Sequence, residues 1–368
     1  MENYMENNIY WFWLCNIEKI GIKKINALIS YYGSPYDVYM DKNIEKRGID
    51  GITQGELVSI INSKDLIKIK ENYAKLRSKD VYFVTKDDYG YPEKLKHIYD
   101  APHGLYVKGN LPENNDIVIA VVGARNCSDY GREVSRYLTY ELSKMGIQII
   151  SGLALGIDGY AHDGVLRAGG VTYGVLGCGI DICYPKENFS YYMDMQKNGG
   201  IISEYGLGVS PKPGFFPMRN RIISGMSDGV LVIEAKEKSG SLITVDIGLE
   251  QGKTIYAVPG RVSDELSIGC NNLIKMGAKL VSNPKDIVED FSMNCEYSLK
   301  ENKKIDNLLE TNEKIVYACL SFQGKHINEI ANETNISIVE LTNILINLEI
   351  KNYIKEIRNN YYVYINMD

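Results

Sequence analysis

Four stretches hold the residues with chemistry to offer. In VVGARNCSDYGRE, Gly123 lets the chain turn sharply at the end of an apolar run. Arg125 follows with a forked cation that suits a phosphate. Ser128 stands where it would cap the next helix, whose first N–H groups and positive dipole end attract anions. An ordinary strand-to-helix turn, with its arginine paired to a surface acid, would look the same. The second stretch, SGLALGIDGYAHDGVLRAGGVTYGVLGCGIDICYPKEN, sets Gly152, Gly156, Gly177 and Gly179 at the ends of two further strands. Glycines at such a rim admit either a ligand or a closely packed helix. Asp158 and His162 at i and i+4 read as a helix cap and a core histidine. In PKPGFFPMRNRIISGMSDGVLVIEA, Lys212, Arg219 and Arg221 surround Phe215 and Phe216. Cations interleaved with aromatics suit single-stranded nucleic acid, whose bases stack on rings while phosphates follow the charges. The competing reading buries Phe216 and pairs Arg219 or Arg221 with an acid such as Glu234. The fourth stretch, EKSGSLITVDIGLEQGK, opens another helix at a strand end with Gly240 and Ser241.

Other chemistries lack their patterns. No loop reads as a dinucleotide fingerprint or a Walker loop. A nucleotide-hydrolysing relative of this architecture would carry a Gly-Gly-rich loop followed closely by Glu, whereas here the first Glu after Thr244 is Glu250. Neither a nucleophile elbow nor a His–carboxylate dyad stands out. The histidines (His97, His103, His162, His326) are scattered, so no metal site is expected. The seven cysteines include no C-x-x-C pair and read as reduced thiols.

The elements that must position these residues alternate between β and α. Strands are expected at Ile117–Val122, Ile147–Ile150, Val171–Leu176, Gly200–Ser203, Gly229–Ile233, Thr254–Val258 and Lys279–Val281. Helical patterns between them cover Gly131–Met145, Asp158–Ala168, Glu187–Lys197, Arg221–Met226, Ile243–Gln251 and Cys270–Met276. This alternation predicts an α/β fold, a Rossmann-like parallel sheet with helices on both faces, binding ligands beyond the carboxyl ends of its strands. Residues 1–77 form a small helical domain. Its segment EKIGIKKINALISYYGSPYDVY resembles a helix-hairpin-helix module with one glycine, Gly21, in place. Residues 78–293 form the core, 294–312 a polar linker, and 313–368 a final domain. There, helices at His326–Ala331 and Ser337–Leu348, then a hairpin Tyr353–Ile365 with Asn359-Asn360 at its tip, make a winged-helix pattern. Its second helix holds no Lys or Arg, which points to protein contact or a structural role rather than DNA reading.

The chain has 368 residues, 45% hydrophobic and 24% charged, an ordinary balance for two or three globular domains. A net charge of -6 argues against coating duplex DNA or anionic membrane with the whole surface, but leaves room for a local basic groove. The aromatic run Ile9–Cys15 is neither a signal peptide nor a membrane span, and a cytoplasmic protein is expected.

Taken in order, YPEKLKHIYDAPHGLYVKGN, VVGARNCSDYG, SGLALGIDGYAH, GGVTYGVLGCGIDICYP, FFPMRNRIISG, EAKEKSGSLITVDIGLEQGK, AVPG and GCNNLI resemble the DprA/Smf family of DNA-processing proteins. The resemblance spans essentially the whole chain and is strongest from Tyr91 to Val281. Together with the missing catalytic and metal patterns above, it points to a non-enzymatic protein for which no cofactor or metal is expected. Such a protein binds and protects single-stranded DNA, loads a RecA-type recombinase in natural transformation and homologous recombination, and forms a homodimer. It implies the phosphate-binding arginine at Arg125, groove lysines at Lys186 and Lys212, and a base pocket at Phe215 or Phe216. With the rim residues, the candidate binding set is Gly123, Arg125, Ser128, Gly152, Lys186, Lys212, Phe215, Phe216, Arg219, Arg221, Gly240 and Ser241. The rival reading is a nucleotide or nucleoside-phosphate hydrolase on the same fold.

Overall fold

The computed structural model describes residues 2–291, 311–320, 324–351 and 353–364. Among them, nine strands build one sheet: β1 (Tyr82–Thr85), β2 (Gly104–Gly109), β3 (Val118–Val122), β4 (Gln148–Ser151), β5 (Thr172–Gly179), β6 (Gly200–Tyr205), β7 (Gly229–Val232), β8 (Thr254–Ala257) and β9 (Lys279–Leu280). Their spatial order is β1-β2-β6-β5-β4-β3-β7-β8-β9. From β6 across to β9 every pairing is parallel. The chain winds outward from β3 through β4, β5 and β6, then returns to the other side of β3 with β7. The order therefore reverses between β3 and β7, and ligand clefts in open parallel sheets form at such a point.

One correction concerns the edge. β1 and β2 join antiparallel next to β6, so the sheet is mostly rather than wholly parallel. The inner strands are apolar runs because both faces are covered: β3, β5 and β7 are buried at every residue. Alternate residues of β3 face opposite ways. Val118, Ala120 and Val122 pack with Ile222 of the helix Phe215–Gly225 and with Met226, its C-cap. Ile119 and Val121 pack with Val134, Leu138 and Val165 of the helices Asp129–Lys144 and Ile157–Arg167. The helix Phe215–Gly225 starts earlier than the expected Arg221, so both phenylalanines lie in its first turn.

Before the sheet come helices at Glu2–Cys15, Ile22–Tyr32, Pro35–Met40, Gln54–Asn62 and Leu66–Arg77. Gly21 is the N-cap of the second. Trp11, Phe12 and Leu14 share one apolar cluster with Phe83, Tyr106 and Met195, so the packing runs unbroken across residue 77. Asn16 Nδ2 donates to the Tyr106 hydroxyl at 2.5 Å, and Trp11 Nε1 to Asp87 at 2.7 Å.

The C-terminal residues have their own core, including Val316, Ile330, Leu341, Leu345 and Tyr362. It is built from helices Thr311–Cys319, Ile327–Thr334 and Ile338–Ile350. A small antiparallel sheet completes it: β10 (Lys325–His326), β11 (Ile354–Arg358) and β12 (Tyr361–Tyr364), in the order β10-β12-β11. Asn335, at φ 54, turns the chain between two helices, and Ser337 caps the second through its hydroxyl. Most of the expected linker, residues 294–310, and the end of the expected hairpin at Ile365 lie outside the described residues. No described helix is long and apolar enough to cross a membrane.

Candidate nucleic-acid interface

A cleft of about 670 Å³ opens beyond the carboxyl ends of β3 and β7, at the reversal of strand order. One wall is the turn after β3, with Gly123, Arg125 and Asn126. The second is the start of the helix Phe215–Gly225, with Phe216 and Asn220. The third is the loop after β7, with Lys236, Lys238, Gly240 and Ser241. The last two residues lead into the helix Ser241–Glu250, whose N-cap Gly240 makes no side-chain hydrogen bond to the helix. Its first N–H groups thus add a positive dipole end to that wall.

The turn after β3 is fixed from below. Ala124 N donates to Glu234 O at 2.8 Å, and Ile157 N donates to Ala124 O at 3.2 Å. Gly156 has φ +75, and a Cβ there would stand 2.3 Å from the carbonyl oxygens of Ala124 and Arg125. This crossing holds the backbone of Arg125 while its side chain stays exposed.

Two aromatic–cation pairs lie side by side. The Arg125 guanidinium stands 5.8 Å from the Phe216 ring, and Tyr184 lies 5.6 Å from that ring, tilted by 34°. Lys212 Nζ stands 5.5 Å over Phe215, which stacks on Tyr205 at 4.1 Å and 21°. Phe216 therefore belongs to the cleft and Phe215 to a platform beside it. Lys186 is exposed, two residues beyond Tyr184, and has no ion pair among the described residues.

Below the surface, the remaining candidates hold the frame. Ser128 caps the helix Asp129–Lys144, accepting from Gly131 N at 3.0 Å. Its own N–H and hydroxyl donate to the carboxylate of Glu234, at 2.8 and 2.5 Å. Glu234 is buried and fills the helix terminus where a Rossmann-type nucleotide site would seat a pyrophosphate. Arg219 is buried and donates to the carbonyls of Gly152 (2.7 Å) and Val175. Burial lowers its pKa to about 10, with the charge of Asp158 opposing the shift. Gly152 is required beneath it, since a Cβ would stand 2.4 Å from the guanidinium.

Arg221 is a correction to the expected set. It is buried against Glu204 at 2.5 Å and Asp100 at 3.2 Å, outside the cleft lining, because neighbours two apart on a helix point different ways. Asp158 does not cap the helix as expected: the N-cap is Gly156, and the Asp158 carboxylate instead accepts from the N–H groups of Gly152 and Ala154 in the preceding loop, at 3.1 and 3.4 Å. Burial raises its pKa, against the lowering charge of Arg219. His162 lies in the core with Nδ1 2.8 Å from the Thr172 hydroxyl, and burial lowers its pKa to about 3. Sequence reasoning missed Lys236, Lys238 and Tyr184. The two lysines were visible in EAKEKSGS, but the alternating charges there look like any solvated loop.

Residues 82–292 match the family model described as DNA recombination-mediator protein A. The chain is 44% identical over 201 residues to the DNA processing protein DprA of Streptococcus pneumoniae, covering 55% of this chain and 71% of that protein. It is 40% identical over 233 residues to the Bacillus subtilis DNA processing protein DprA, covering 63% and 78%. The X-ray structure of DprA from Streptococcus pneumoniae matches with a TM-score of 0.68 at 33% identity, over 78% of this chain and 99% of that one. A Helicobacter pylori structure of DNA processing protein A, described for its single-stranded DNA binding mode, matches with a TM-score of 0.51 at 29% identity, over 57% and 95%. With the family model spanning more than half of its length, the chain belongs to the DNA recombination-mediator protein A family, that of the DprA and Smf proteins.

Proposed function

We propose that this chain is a non-catalytic single-stranded DNA-binding protein. It would act in DNA processing during natural transformation or homologous recombination, protect an incoming strand and hand it to a RecA-type recombinase. The observation that carries the reading is the pair of adjacent cation-topped rings, Arg125 with Phe216 and Lys212 with Phe215, beside the switch-point cleft. The two rings are half-buried and can take unpaired bases of any sequence at their open edges and faces, while the exposed cations take the phosphates between them. The Rossmann-type anion slot already holds Glu234, which disfavours a bound nucleotide and with it the hydrolase reading.

In this reading Arg125, Lys186 and Lys212 meet phosphates, joined by Lys236, Lys238 and the Gly240–Ser241 helix start. The turn at Gly123 brings backbone close to the strand, and Phe216 or Phe215 stacks a base. Ser128, Gly152, Arg219 and Arg221 set the shape of the rim. The N-terminal helices act as a helix-hairpin-helix-like domain over residues 1–77. Residues 313–368 act as a winged-helix domain, joined to the core of residues 78–293 by the linker 294–312. The helix Ile338–Ile350 has no Lys or Arg, which favours a protein partner for that domain. A cytoplasmic homodimer is the assembly we infer, since the short edge strand β9 needs a cover and two rims per particle raise effective concentration on one strand.

The test is fluorescence anisotropy with a single strand and a duplex of equal length at one fixed salt concentration. Preference for the single strand, with no nucleotide turnover, supports the reading. Equal affinity for both, or turnover of a nucleoside triphosphate, overturns it.

A further inference from the structure

A second cleft, of about 500 Å³, lies between the N-terminal helices and the sheet. Its walls include Ile17, Asn72 and Leu76 from the helical side, and Gly206 and Leu207 from the segment after β6. That segment ties it to the first site. Tyr205, which stacks under Phe215, is followed directly by Gly206 and Leu207. Two residues of chain reach at most about 7 Å, so the Phe215 platform and the second cleft adjoin along this segment.

The second cleft has the chemistry for a base. Asn16 gives its Nδ2 hydrogens to Phe12 O and the Tyr106 hydroxyl, while its Oδ1 has no hydrogen-bond partner among the described residues. A Cβ at residue 206 would stand 3.1 Å from both Asn16 Oδ1 and the Tyr106 hydroxyl, so the glycine leaves these two oxygens open to the cleft. Asn72 accepts from Lys75 at 3.0 Å through Oδ1, and its Nδ2 has no partner among the described residues. An amide acceptor and an amide donor between apolar walls match the edge and faces of a nucleobase. Lys68 and Lys75 are exposed on the helix Leu66–Arg77. The acid on this lining, Asp65, is engaged as cap of that helix, accepting from Lys68 N at 3.1 Å.

We propose that this cleft is a second base pocket: a strand leaving Lys212 and Phe215 places a further unpaired base against Asn16 and Asn72, with its phosphates along Lys68 and Lys75. The proposal rests on the single-strand reading of the first cleft, and it makes the N-terminal helices part of the binding track.

The experiment compares thymidine oligonucleotides of about 6 and about 16 nucleotides, lengths at the two ends of the site sizes such proteins occupy. Binding of each is measured by anisotropy across a salt series. Lys68→Glu with Lys75→Glu should weaken the long oligonucleotide about tenfold and lower its salt slope by about 1.4, for two lost phosphate contacts, while leaving the short one unchanged. Asn72→Ala should weaken the long one alone without changing the slope, and keeps the test decidable if the double reversal unfolds the helix. Both tryptophans lie on the first helix, and Trp13 lines the cleft, so the long oligonucleotide should shift intrinsic fluorescence and the short one should not. The proposal is overturned if the double reversal and Asn72→Ala bind the long oligonucleotide as wild type does. It is also overturned if thymidine monophosphate alone moves the fluorescence as far. Failure of the first-cleft reading shows differently, as short-oligonucleotide binding that Arg125→Ala leaves intact.

Discussion

Arg125→Ala tests the rim where its geometry is most specific. The side chain is exposed, its backbone is clamped by Gly156 and Glu234, and its guanidinium lies 5.8 Å from Phe216. Removing it should leave the fold intact, because no core contact is lost. A charge-assisted hydrogen bond to phosphate contributes about 1.5–3 kcal/mol, so binding should weaken roughly ten- to hundredfold at low salt. The salt slope should fall by about 0.7 for one lost contact on a single strand. Between about 50 and 200 mM salt the gap between wild type and variant should therefore narrow by about 2.6-fold. Arg125→Lys separates charge from shape. It keeps the slope but loses the flat fork that lies against Phe216, and should fall between the two. The assay is anisotropy with homopolymer and mixed-sequence single strands over a salt series, with circular dichroism to check folding. The loss should be the same for every sequence, because a phosphate carries no base information. A folded Arg125→Ala variant with wild-type affinity and slope would refute the assignment, and a loss confined to one base would refute the phosphate role.

Phe216→Ala and Phe215→Ala should each cost about 1–3 kcal/mol in single-strand affinity if their rings stack bases. If only one does, that ring alone is the base platform, and if neither does the stacking model fails. Gly152→Ala should destabilise the fold by about 1–3 kcal/mol in urea denaturation, because the added Cβ displaces a buried guanidinium held by two carbonyls. An unchanged midpoint would mean that Arg219 is free to move. His162 has a folded pKa of about 3, below its ordinary 6.5, so the unfolded chain takes up the proton first. Its contribution to stability is complete above about pH 6.5 and declines by about 1.4 kcal/mol per pH unit as the pH falls toward 3. His162→Gln should flatten the measured stability–pH slope by that amount between about pH 6 and 4.5, and an identical slope would refute the buried neutral imidazole.

The parallel core was legible because its strands leave no ambiguity. VIAVV of β3 and GVLV of β7 are too short and too apolar for surface helices; Gly123 ends the first and Gly229 opens the second. β1 and β2 leave no such signal, since YFVT and GLYVKG carry no turn signal of a hairpin and pair across a gap of about twenty residues that contains a helical turn. Pro217 hid the start of the helix Phe215–Gly225: it sits in the first turn, where its missing N–H costs nothing, but in sequence it looks like a breaker. Arg125, Phe216 and the Gly240–Ser241 turn were read as rim residues and do share one lining. What separates Arg221 from Arg219 is helix phase, and it could not be fixed until the helix start was known.

The role of Glu234 was the least accessible from sequence, because its partner lies 106 residues away. On the proposed reading, its position gives a physical reason for a sheet of this type to favour a strand over a nucleotide. The helix Asp129–Lys144 offers its terminus to an anion, and Glu234 satisfies that demand from within, bridging the Ser128 N–H and hydroxyl. Gly131 is part of the same arrangement, since a Cβ there would stand 2.3 Å from a Glu234 oxygen. With the first terminus closed, the exposed positive groups on the described cleft lining are Arg125, Lys238 and Lys236, the last paired with Glu265 at 2.9 Å, and beside them stands the terminus of the helix Ser241–Glu250. These are spread over the rim rather than gathered at one point. A compact pyrophosphate needs convergent donors, whereas a chain of single phosphates is served by separated ones with rings between them. On the single-strand reading proposed above, the buried carboxylate turns a point-like anion site into an extended track.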